Sequence, residues 1–150
     1  MLGHKAEKGG ILAVLAVLLL PAPVWAEGLG ASDAGYYALI TPDGRQSPSQ
    51  MHYYLKNGQW VMDGKLKNGG WYEVCGGTGE CRLRPSSKED MRSWQAELPD
   101  DARPLPFACI NNIAFAFCRS GTAESPAYWW FTFKTPEVPR QYVFRLKRLD

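Results

Sequence analysis

Beyond residue 26 the chain is written in short runs of β-forming residues, each closed by a turn signal. Residues 36–41 are rich in Tyr, Leu and Ile and end on Pro42-Asp43-Gly44, a proline-to-glycine turn signal. Residues 51–56 follow, and Asn57-Gly58 separates them from 59–62. A two-residue Asn-Gly between β-like runs predicts a tight hairpin, because both turn residues must take positive φ. Asp63-Gly64 and Asn68-Gly69-Gly70 read as further turns leading to a strand over 71–75. The first half is therefore expected to be an antiparallel meander.

One stretch leaves the period of two. Ser86 stands three residues before Glu89, the hydroxyl-to-carboxylate spacing that satisfies free amides at a helix start. Met91, Trp94 and Leu98 then recur at helical spacing, which predicts a helix of about three turns before Pro99 with those side chains buried. Residues 100–106 form a proline-containing loop. Residues 107–118 are mostly apolar around Asn111-Asn112, either a tight hairpin or one long buried strand, and 120–127 reads as a surface loop. Along 128–134, Trp129, Phe131 and Phe133 share one face while Tyr128, Trp130 and Thr132 share the other. A last run over 141–149 puts Tyr142, Phe144 and Leu146 at alternate positions. The expected fold is α+β, mainly β: an antiparallel sheet of about seven or eight short strands, meander or sandwich-like, with one helix.

The opening residues change the context of that domain. His4, Lys5 and Lys8 precede an uninterrupted apolar run over 11–20, then Pro21 and Pro23, then Val24-Trp25-Ala26. A charged start, short apolar middle and small-residue exit describe a secretory signal peptide over 1–26, cut after Ala26. The run is too short to cross a hydrocarbon layer of about 30 Å. Residues 27–150 are then one exported domain with no membrane span, and the compact leader leans toward the periplasm over the extracellular space. The net charge of the whole chain, +2, gives no electrostatic case for nucleic acid.

An exported domain makes the four cysteines, Cys75, Cys81, Cys109 and Cys118, disulfide candidates. Three pairings are open; the most economical joins Cys75 to Cys81 and Cys109 to Cys118. The C-x5-C and C-x8-C spacings do not suit a zinc site, and His52 stands alone beyond residue 26, so neither metal nor cofactor is expected.

Between Cys75 and Cys81 lies Gly76-Gly77-Thr78-Gly79-Glu80. Pinned at its base, such a loop would lose little entropy on binding a partner. It resembles, as a loop alone, that of some bacterial periplasmic lysozyme inhibitors, although no histidine stands in it. A phosphate loop is excluded because no Lys-Ser/Thr follows the glycines. With Trp71 and Tyr72 beside it, the loop points to a protein partner such as a secreted toxin or a cell-wall hydrolase. The chain would then be an inhibitor or immunity-type protein, with no catalytic residues of its own. Tyr128 and Trp130 offer a second reading, a stacking surface for a glycan such as peptidoglycan. A third, a small cell-wall hydrolase, would have to use Glu73 and Glu80, whose spacing forces no catalytic geometry.

Overall fold

The computed structural model describes residues 28–150 together with Gly3; the expected leader over 1–26 and its cut after Ala26 lie outside the described residues. After a 3-10 turn at Ala31–Asp33 come β1 (Gly35–Ile40), β2 (Gln46–Lys56), β3 (Gln59–Lys65) and β4 (Trp71–Cys75). A short β5 (Arg84–Pro85) and the helix α1 (Lys88–Gln95) lead to β6 (Phe107–Asn111), β7 (Phe115–Gly121), β8 (Pro126–Thr132) and β9 (Tyr142–Arg148). All nine strands form one antiparallel sheet in the order β4-β3-β2-β1-β9-β8-β7-β6-β5, curled into a half-barrel. Two meanders, β1–β4 and β5–β9, are joined where β9 lies along β1, with Tyr37 opposite Arg148 and Leu39 opposite Leu146. A further bridge between Trp60 and Leu83 ties β3 to the segment before β5, so the curl draws the two halves together there.

Alternation along the strands sorts the aromatics onto two faces. The concave face is packed with Tyr37, Tyr53, Phe117 and Tyr128. Tyr53 stacks on Phe117 at 4.0 Å between centroids, and Tyr37 meets Phe117 edge-on at 5.1 Å. Across the second half, the convex face is covered by α1 and its following turn: Trp94 and Leu98 pack over Phe107, Trp129 and Phe131. The Cys109–Cys118 disulfide lies in this layer, joining residues directly opposite in the β6–β7 register.

Three sequence expectations need correction. Asp63-Gly64 is not a turn but lies inside β3, because Gly64 is a close-approach glycine. A Cβ there would sit 3.1 Å from side-chain atoms of Tyr72 and Val74 on β4. The helix is capped one residue later than expected. The Ser86 amide donates to the Cys109 carbonyl, tying Ser86 to β6, so Ser87 Oγ accepts from the Asp90 amide instead, at 3.1 Å. The expected loop over 120–127 shrinks to the tip of a β7–β8 hairpin, with Gly121 at φ 85° as the last residue of β7. Residues 107–118 take the hairpin form, β6 and β7.

A buried charge network anchors the first turn. Asp33 is fully buried; it pairs with Arg119 at 2.7 Å and accepts from the Tyr128 hydroxyl at 2.8 Å and the Gly30 amide at 2.9 Å. Tyr37 donates its hydroxyl to the Asp33 carbonyl. Burial first, then contact with Asp33, raises the Tyr128 phenol, which keeps it a proton donor. Removing one partner of a buried ion pair strands the other in a poorly solvated site. Asp33→Ala should lower the unfolding free energy by about 3–5 kcal/mol in urea titration. Adding Arg119→Met should recover part of that loss; strictly additive losses would show that the two charges are not coupled.

Candidate functional site

The curl leaves an open apolar cleft of about 240 Å³ on the concave side. Its near wall comes from β1–β4: Leu39, Met51, Met62, Leu66, Tyr72 and Val74. Phe115 of β7 and Trp130 of β8 form the far wall. The β3–β4 register steps between Met62 and Asp63, which pair with Cys75 and Glu73 and leave Val74 as the extra residue of a bulge. That bulge lets Val74 line the cleft while Cys75 joins the concave core. Leu66 and Tyr72 stay exposed at the mouth, although both are large hydrophobics. The Trp130 indole N–H is buried beside the Tyr53 hydroxyl without a hydrogen bond of good geometry among the described residues.

Of the expected binding residues, the structure brings together Tyr72 and Trp130, on opposite walls of this cleft. Trp71 points to the other side of β4. There it meets Tyr36 and His52 edge-on, with the Lys65 ammonium 5.9 Å from its ring centroid. Tyr36, His52 and Tyr54 form a stack on that convex face, the first two only 4.0 Å apart and almost parallel. The stacked rings occupy one another's faces. Tyr128 is a correction to the stacking-surface expectation: it is buried in the concave core, and its hydroxyl is committed to Asp33.

The glycine loop sits at the opposite end of β4 from Trp71. Gly77 is buried at φ 87° against Gln59 and the Trp60 carbonyl, and Gly79 takes φ 74°. Over Gly76 lies the Glu73 carboxylate, the end of an exposed, flexible side chain that a Cβ there would displace. Only Thr78, Gly79 and Glu80 are exposed, beside a polar groove that includes Arg82, Asn111 and Ile113. The loop, Trp71 and Tyr72 therefore do not form one patch. The expected Cys75–Cys81 disulfide is a second correction. The two residues are adjacent, but Cys75 Sγ faces the Cys81 carbonyl and Cys81 Sγ faces the Val74 carbonyl, so both are thiols. Burial, then the contact with Cys81, pushes the Cys75 thiol up to about 11.

Leu39, Met51, Met62, Val74 and Phe115 belong to the cleft and were missed as site residues. Apolar residues in β-like runs are expected to face inward, and that alone does not distinguish a covered core from an open one. Among the described residues, no group of His, Cys, Asp and Glu could hold a metal ion, and no helix is long and apolar enough to cross a membrane. Comparison with protein families, curated proteins and solved structures finds no match.

The high pKa of Cys75 has a chemical consequence. At pH 7.5 its thiolate fraction is far below that of an ordinary cysteine near 8.5. Iodoacetamide should therefore modify Cys75 roughly a hundredfold more slowly than a free thiol peptide, as followed by mass spectrometry. Equal rates would show that Cys75 is not enclosed as described.

Proposed function

We propose that this chain is a small exported binding protein whose partner is a protein of the cell envelope. In its most concrete form it is an inhibitor or immunity-type protein acting against an enzyme directed at the envelope or cell wall. The observation that carries this reading is the open concave cleft, with Tyr72 and Trp130 on facing walls and Leu66 exposed at its rim. Apolar side chains left unburied at the mouth of a rigid groove mark a place where a partner completes the packing. Tyr and Trp are the side chains that concentrate binding energy at such contacts. The leader-like start of the chain supports the envelope as the setting. The glycine loop is a secondary contact in this reading, through Thr78 and Glu80.

The test uses the full chain in its source cells, with a photo-crosslinking phenylalanine at Tyr72 and, as control, at exposed Lys134. A discrete protein adduct from position 72 and none from 134 is expected. The captured protein, once purified, should bind the Tyr72→Ala variant at least about tenfold more weakly, with melting temperature little changed. Sedimentation with insoluble cell wall in place of a protein adduct would turn the reading toward glycan. Within the loop, Thr78→Trp should fold normally, whereas Gly77→Val should lose about 1–3 kcal/mol because valine opposes positive φ.

A further inference from the structure

We infer that β4 is a docking edge to which the partner adds an extended strand carrying a basic side chain outward and apolar side chains inward. This inference rests on the protein-binding reading above and specifies its mode. The two edges of the sheet are built differently. β5 is two residues long and ends on Pro85, both devices that block strand addition. β4 has five residues, no Pro and no Lys, and four of them are exposed: Trp71, Tyr72, Glu73 and Val74. Apart from the Val74 carbonyl, which the Cys81 thiol faces, its outer side therefore offers unpaired backbone groups beside exposed aromatic and aliphatic side chains, the arrangement that β-augmentation uses.

Charge selects the occupant. Glu73 lies directly opposite Asp63 in the β3–β4 register, and like charges facing each other destabilise a strand pair. Neither carboxylate is in an ion pair among the described residues. A strand laid along β4 places its outward residue next in that row, where Lys or Arg would relieve the repulsion. Its neighbours on either side would face Tyr72 and Val74 and extend into the cleft. A second copy of this chain fits poorly: antiparallel pairing of two β4 strands about Glu73 would line up four carboxylates.

The test offers the purified protein three synthetic heptapeptides: Val-Lys-Val-Arg-Val-Lys-Val, the same peptide with Glu at every basic position, and the basic peptide N-methylated on alternate amides. Binding is followed by Trp fluorescence and by amide hydrogen exchange resolved by NMR. The basic peptide should slow exchange within Trp71–Cys75 at least tenfold, the acidic one should bind at least tenfold more weakly, and the N-methylated one should not bind. Glu73→Lys should reverse the charge preference. Equal binding of acidic and basic peptides, protection away from β4, or no binding of any peptide would overturn the docking edge. So would a crosslinked partner whose affinity is unchanged by Glu73→Lys, and that result would leave the protein-binding reading intact. Peptide binding at β4 without any partner captured at Tyr72 would support the edge and remove the envelope-partner reading.

Discussion

The half-barrel depends on the burial of one carboxylate. Asp33 lies in a short turn ahead of β1, fully removed from water, and its oxygens are held by Arg119 of β7, Tyr128 of β8 and the Gly30 amide. An ionised group in that position is tolerable only when each acceptor site has a donor. Arg119 and Tyr128 come from the second meander and Gly30 from the chain ahead of β1, while Tyr37 of β1 donates to the Asp33 carbonyl, so the network draws on both sides of the β1–β9 seam. From the C-terminal strand, Arg148 reaches the carbonyls of Ser32 and Ala34, at 2.7 and 2.8 Å, and adds a second tie across the same seam. The curl follows from this seam, and the cleft follows from the curl.

How far this was legible in the sequence depends on the kind of information each element carries. Asn57-Gly58 announces its hairpin because the turn itself demands those residues, and Asn57 does take φ 51°. The opposed faces of Trp129 and Trp130 follow from strand geometry alone, whereas the cover of the Trp129 face by α1 does not. Gly64 misled because a glycine serves two purposes, reversing the chain or admitting a neighbour, and only the packing of Tyr72 and Val74 tells which. Ser86 and Ser87 are both competent caps; the choice was made by a hydrogen bond to Cys109, far along the chain. Asp33 gave no signal at all, since a lone aspartate near a turn is usually solvated and its partners lie 86 and 95 residues away.

The candidate site was legible in fragments for a related reason. Tyr72 and Trp130 stood out by residue type, but their meeting across a cleft is a property of the curl. The glycine loop drew attention through its composition, yet two of its glycines answer to local backbone demands, positive φ at Gly77 and Gly79. Those demands would exist with or without a partner, so the glycines carry less functional information than their density suggests. The exposed apolar side chains of β4 are different. No packing requirement of the described fold keeps them at the surface.

That contrast orders the surfaces of the molecule. The convex face of the second half is sealed by α1, with Trp94 packed against Phe131 and Phe133. Tyr36, His52 and Tyr54 cover the convex face of the first half by stacking on one another. Among the described residues, an unpaired strand edge, exposed aromatic surface and carboxylates outside any ion pair coincide along β4 and the adjoining cleft. Any one of these is ordinary on a protein surface. Together they are what the proposed docking edge rests on: exposed apolar side chains on β4, and two carboxylates at facing positions of β3 and β4.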